Sequence, residues 1–133
     1  DKPLSEYYDL VKQIEVSEDR KIWLKSGGFI TIDKTEALTA IDVNSAKYTG
    51  KKDLEDTAFA INKESALEIA KQIRLRDIGG IIIIDFIDLK SEVHKRELVD
   101  IFRNELKKER TKVQIEGFTK LNLLELTRKH ICS

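Results

Sequence analysis

The sequence predicts an α/β chain of the α+β kind: a mixed sheet that opens with an antiparallel hairpin and continues β-α-β-α-β. Three observations predict it. Ile81-Ile82-Ile83-Ile84 is β-branched throughout and does not alternate, as expected of a central strand buried on both faces. Residues 54–76 and 92–108, on either side of that run, carry apolar side chains at helical spacing. Two short apolar segments, Lys21 to Leu24 and Phe29 to Ile32, flank a Ser26-Gly27-Gly28 turn and read as the hairpin.

Along the chain, Leu4 to Val16 places Leu4, Tyr7, Tyr8, Leu10, Val11 and Ile14 at helical spacing, so residues 1–17 are expected to be a helix. After the hairpin a third strand is expected over Ala37 to Asn44. Lys47 to Lys52 is a polar loop, and Asp53 is placed to cap the first long helix, with Asp56 three residues on. That helix runs to about Arg76, with Leu54, Ala58, Ile61, Ala66, Ile69, Ala70 and Ile73 on its apolar face, and Gly79-Gly80 ends it. Ser91 caps a second helix to about Lys108, with Val93, Leu98, Ile101, Phe102 and Leu106 inward. Lys112 to Glu116 reads as a strand, and Leu123 to Arg128 as either strand or helix. Right-handed crossovers between such strands bring the C-terminal ends of parallel neighbours to one rim.

Composition narrows the function. With 133 residues there is room for about one domain. Lys plus Arg and Asp plus Glu are both 24, so no global charge steers the chain to nucleic acid, although a zero sum can hide a basic face. Charged residues make up 36%, and no apolar run approaches the roughly 20 residues of a spanning helix, so no membrane partner is expected. The single cysteine, Cys132, excludes an internal disulfide and a multi-cysteine zinc site within the chain. There is no signal-like start, so the expected location is cytoplasmic. The absence of methionine suggests a piece of a longer protein.

The chemistry concentrates at two strand ends. Asp42 and Asn44 alternate onto one side of the third strand, just before a loop. The isoleucine strand also ends in a carboxylate, Asp85, followed by Phe86-Ile87-Asp88. If the first long helix is the crossover between these strands, Asp42 and Asp85 share the rim where ligands of open α/β sheets bind. Paired carboxylates repel unless a cation or proton lies between them. Hard oxygen ligands with no nearby His or Cys suit Mg²⁺, with Mn²⁺ as the alternative ion. Such an ion can activate water and offset charge in phosphodiester hydrolysis. The competing reading of each Asp is a turn former or helix cap, and Asp88 is read that way, with a supporting role near the ion as its alternative.

The long stretches Ser26-Gly27-Gly28-Phe29-Ile30-Thr31-Ile32-Asp33 and Thr35-Glu36-Ala37-Leu38-Thr39-Ala40-Ile41-Asp42-Val43-Asn44-Ser45 resemble the ribonuclease E/G family. So do Arg74-Leu75-Arg76-Asp77-Ile78-Gly79-Gly80, Ile83-Ile84-Asp85-Phe86-Ile87-Asp88, Glu109-Arg110-Thr111-Lys112 and Leu124-Glu125-Leu126-Thr127-Arg128. The resemblance implies a DNase I-like catalytic subdomain over residues 18–133, preceded by the end of a ribonuclease H-like subdomain over 1–17. It implies an Mg²⁺-dependent endoribonuclease that cuts single-stranded RNA to 5′-phosphate and 3′-hydroxyl ends, in RNA processing and decay. Asp42 and Asp85 fall on the family's metal-binding aspartates and Asn44 on its supporting asparagine. The family's oligonucleotide-binding barrel and 5′-monophosphate pocket would precede this segment. Its Cys-Pro-x-Cys zinc link would follow, so zinc is not expected here and Cys132 has no assigned role. The full-length protein is expected to be a homo-oligomer, and this segment alone to have little or no activity.

From Arg103 to Ser133 there are eight Lys or Arg against four Asp or Glu, a basic end hidden in a neutral chain. Lys112 and Lys47 are the candidate phosphate contacts, and Lys107 and Lys108 read as a solvated helix face. Arg74 and Arg76, opposite the rim, read as structural, and His94 and His130 as surface or packing residues. Trp23, Phe29 and Phe118 can stack bases but read more readily as core. Two rivals remain. A non-catalytic RNA-binding or scaffolding module of the same fold would bind with steep salt dependence and no need of Mg²⁺. A receiver-like phosphotransfer domain would need a phosphate-accepting Asp, and the opening hairpin and the long motif match argue against it.

Overall fold

The computed structural model describes residues 20–45, 54–108 and 110–130. The helix expected over Leu4 to Val16, the assignment of residues 1–17, the loop with Lys47, the Asp53 cap and Cys132 lie outside those residues. The elements are β1 (Ile22–Trp23), β2 (Gly28–Lys34), β3 (Thr39–Ser45), α1 (Leu54–Leu75), β4 (Gly80–Asp85), α2 (Glu92–Leu106), β5 (Val113–Phe118) and β6 (Leu124–Arg128). The six strands form one mixed sheet in the order β1-β2-β3-β4-β6-β5. The opening hairpin pairs antiparallel, β3 and β4 pair parallel, and β6 pairs antiparallel with both β4 and β5.

The expected β-α-β-α-β order is present, with one addition. Residues 124–128, left open between strand and helix, form the strand β6 that inserts between β4 and β5. The last crossover therefore skips one place in the sheet. The turn of this closing hairpin holds Asn122 at φ 63, and a bulge sits at Gly117, whose φ is 113.

The expectation that β4 is buried on both faces is corrected. Ile82 and Ile84 are fully buried, but Ile81 is 41% exposed and Ile83 only half-buried. The reason is topological. Both crossovers, β3 to β4 and β4 to β5, step across the sheet in the same direction. Crossovers of one hand stepping one way put their helices on the same face. The core accordingly lies between that face and the two helices: Ile30, Ile41, Val43, Ile82, Ile84, Leu124 and Leu126 meet Ile61, Ile69, Ile73, Leu98 and Phe102. The opposite face carries no helix among the described residues.

Local signals explain most boundaries. Ser91, extended at φ −81, accepts a hydrogen bond from the amide of His94 and caps α2 as expected. α1 ends at Leu75, four residues before Gly79. Asp77 takes the left-handed conformation (φ 48), its amide donates to the Arg74 carbonyl, and the Ile78 amide donates to the Ile73 carbonyl. This is the paired C-terminal cap usually built on glycine, here with buried Ile78 packed below it. Buried Arg128 holds Asp77 in place, donating to its carboxylate at 2.9 Å and to the Ile78 carbonyl at 2.9 Å. Two expected inward residues face out instead: Leu54 and Val93 sit in the first turns of their helices and are exposed.

Candidate active site

Period-two alternation sorts β3 into two faces. Thr39, Ile41 and Val43 are buried under α1, whereas Ala40, Asp42 and Asn44 lie on the helix-free face. In β4, Ile82 and Ile84 point to the core, and Asp85 is exposed on the other side. The parallel register places Asp42 directly beside Asp85. The two carboxylates thus share a row, a face and a rim, with strands about 4.8 Å apart. Asn44 lies two residues further along β3, and its Nδ2 donates to Asp42 Oδ2 at 3.4 Å. The sequence placed the pair at the rim, and the structure adds that they open onto the helix-free face.

A shallow cleft of about 400 Å³ is lined by Asp42, Asn44, Ser45, Asp85, Ile87 and Asp88. Asp88 belongs to this cleft, and the capping of α2 falls to Ser91. Burial pushes the Asp85 carboxyl above the ordinary carboxylate range, and the charge of Asp88 pushes it the same way. Ionising Asp85 therefore costs more than ionising a free carboxyl, a cost that a nearby cation would lower. The donor set is all oxygen apart from the Asn44 amide. Among the described residues no group of three or more His, Cys, Asp or Glu is placed to hold a metal ion, so protein donors here number two carboxylates at most. Two carboxylates with room for water suit a small hard cation such as Mg²⁺ better than an enclosed transition-metal site.

Two contacts fix this geometry from behind. Asn62 of α1, fully buried, donates from Nδ2 to the Ile87 carbonyl at 2.8 Å and accepts the Ile87 amide on Oδ1 at 3.0 Å. It holds the segment between Asp85 and Asp88. Phe86, pointing the other way from Asp85, packs edge-on against Phe102 of α2 with ring centres 6.3 Å apart. Asn62 was not singled out from sequence. Its signal was an amide in the apolar stripe of a helix, between Ile61 and Ala66, where a buried polar group needs a partner. On the other side, Gly28 lets β2 and α1 close on β3: a Cβ there would meet the Asn44 carbonyl at 2.6 Å and Ile61 Cγ2 at 2.8 Å.

Other expectations divide. Lys47 lies outside the described residues. Lys112 is exposed beside the start of β5, whose Val113 pairs with Arg128, which in turn pairs with Gly80. It therefore sits at the end of β4 opposite Asp85, about 17 Å along the strand. The structure does not bring Lys112 to the carboxylates. Arg128, counted in the basic end, is buried in its ion pair with Asp77. His94 is a packing residue: it stacks on Phe59 at 4.1 Å, and its Nδ1 lies 2.7 Å from Glu55 Oε2. His130 Nδ1 lies 3.0 Å from the Asp77 carbonyl. Phe118 packs against the core. Trp23 departs from the core reading, being 50% exposed on the helix-free face.

Comparison with known proteins agrees with the motifs. The chain is 46% identical over 127 residues to ribonuclease G of Salmonella typhimurium (strain SL1344), covering 96% of this chain and 26% of that protein. It is 44% identical to ribonuclease G of Escherichia coli (strain K12), again over 26% of the relative. It is 46% identical over 129 residues to ribonuclease E of Escherichia coli (strain K12), covering 97% of this chain and 12% of the relative. The chain thus spans about a quarter of the ribonuclease G relatives and less of ribonuclease E. With residues 1–131 also matching the model of the Ribonuclease E/G family, the chain belongs to that family.

Proposed function

We propose that this chain is the catalytic segment of an endoribonuclease that hydrolyses single-stranded RNA, leaving 5′-phosphate and 3′-hydroxyl ends. The register that sets Asp42 beside Asp85 on an open face carries this reading. The pair fits Mg²⁺ or Mn²⁺, because two carboxylates side by side favour a cation between them and both ligands are hard oxygens. When bound there, the ion supplies positive charge to the scissile phosphate and an activated water. The residues of the chain do the rest. Asp42 and Asp85, fixed side by side on paired strands, are the residues that would hold the ion. Asn44 fixes the Asp42 carboxylate by hydrogen bonding to it. Asn62 holds the turn that aims Asp85. No side-chain nucleophile is required. The assignment of residues 18–133 to a DNase I-like subdomain, a cytoplasmic location and assembly into homo-oligomers belong to the same reading. No described helix is long and apolar enough to cross a membrane.

The test is cleavage of a single-stranded RNA by the full-length protein carrying Asp42→Asn or Asp85→Asn. The expected loss is at least about a hundredfold in kcat, the scale of a metal's contribution to transition-state stabilisation, with RNA affinity largely kept. Cleavage at the wild-type rate by either variant would overturn the proposal, and RNA binding indifferent to Mg²⁺ with no cleavage would favour a non-catalytic binding module.

A further inference from the structure

We infer that Trp23, Phe29 and Lys21 form a base-stacking subsite for an RNA nucleotide next to the proposed hydrolytic centre. The inference rests on that centre's being an RNA site. Strand register places the group. Trp23 pairs with Phe29 across β1 and β2, and Phe29 pairs with Asn44 across β2 and β3. Directly opposed residues of antiparallel strands share a face, so Trp23, Phe29 and Asn44 form one row. Asp42 and Asp85 form part of the adjacent row on that face. Phe29 is one strand spacing from Asn44 and Trp23 two, about 5 and 10 Å.

The chemistry is that of a nucleotide site. The two rings lie 5.0 Å apart and tilted by 51°, and Trp23 is 50% exposed although its neighbour Ile22 packs on the core. The Lys21 ammonium stands over both, 4.6 Å from the Phe29 ring centre and 5.4 Å from that of Trp23. Half-exposed aromatic surface with an ammonium against it matches a base and its phosphate together, and stacking accepts any base.

The platform is also held rigid. The hairpin turn after Trp23 is clamped from α1 by Glu64, whose two carboxylate oxygens accept the amides of Lys25 at 2.6 Å and Ser26 at 2.8 Å. A stacking surface set in advance loses less on binding than one ordered by the ligand.

The experiment is RNA affinity of the full-length protein in an Asp85→Asn background, read by anisotropy of a labelled single strand, with melting temperature and oligomeric state measured in parallel. Trp23→Ala should weaken binding about tenfold and Trp23→Phe much less, since one aromatic replaces another. Lys21→Gln should weaken binding and flatten its salt dependence by about one phosphate contact. Melting temperature and assembly should change little. Unchanged affinity in Trp23→Ala and Lys21→Gln would overturn the subsite. So would a loss of melting temperature or assembly with affinity intact, which would show that protein covers this face. Should Trp23→Ala fail to fold, Trp23→Phe and Lys21→Gln decide. Failure of the hydrolytic reading is seen separately, as cleavage by the Asp85→Asn protein itself.

Discussion

The carboxamide of Asn62 satisfies both main-chain groups of Ile87, two residues beyond Asp85 and one before Asp88. A helix buried under the sheet thereby controls a turn on the reactive rim. Asn62→Ala would leave the part-buried amide and carbonyl of Ile87 without these partners. The expected cost is about 2–4 kcal/mol of stability, read by denaturant or thermal melting. Below the melting transition, kcat should fall about tenfold from misplacement of Asp85, with little change in RNA affinity. A loss of stability with kcat unchanged would confine Asn62 to a structural role.

Asp85 predicts an unusual pH response. Its folded pKa is raised, by burial first and by Asp88 second. A raised carboxyl favours the fold while protonated, below the unfolded pKa, and that contribution is lost as pH rises through the folded pKa. At neutral pH the ionised group is therefore a load on the fold. Without divalent ions, Asp85→Asn should melt above the wild type at pH 7, and the gap should close as pH falls below the ordinary carboxylate range. Added Mg²⁺ should raise the wild-type melting temperature and leave that of the variant nearly still.

Glu64 runs the other way. Burial raises its carboxyl, but hydrogen bonds from Ser26 and from the Lys25 amide, with the Lys25 charge, outweigh it and leave the pKa lowered. Stability from a lowered carboxyl is present above the unfolded pKa and is lost as pH falls through the folded one. Glu64→Gln should cost on the order of 1 kcal/mol at pH 7. The wild type should lose that advantage over the variant as the solution is acidified through the carboxylate range, a comparison that two melting series provide.

Asp77 carries two duties, a left-handed cap and the counter-charge of buried Arg128. Asp77→Asn keeps the tolerance for that backbone and removes the charge. The expected loss is about 2–3 kcal/mol, since the buried Arg128 guanidinium would face a neutral acceptor where it now meets a carboxylate. Asp77→Gly separates the duties by relieving the backbone while removing the acceptor, and should cost more.

Much of this was legible in the sequence because the informative residues are local. Asp42 and Asp85 end runs whose strand character is evident, and a helical crossover between them makes those strands parallel, so a shared rim follows from chain order, whereas direct pairing does not, as β4 and β5 with β6 between them show. Which face they would share did not follow. It depends on two crossovers stepping the same way, and on residues 124–128 inserting as a strand, a segment too short to declare its period. For the same reason Ile22 and Trp23 look alike as apolar hairpin residues, although one is core and the other faces away. Asn62 was hidden by its setting: the apolar period of α1 is read by ignoring the polar residue within it.

Among the described residues the helices lie on one side of the sheet, which separates what keeps the chain folded from the face that carries Asp42 and Asp85. Ile41 and Ile84 anchor the core from the same strands that display Asp42 and Asp85 outward. Substitutions on the bare side can therefore alter recognition while the packed side preserves the architecture. Such a segment can be retuned to a different ligand by re-surfacing a handful of outward positions, a freedom that a domain packed on both sides of its sheet would lack.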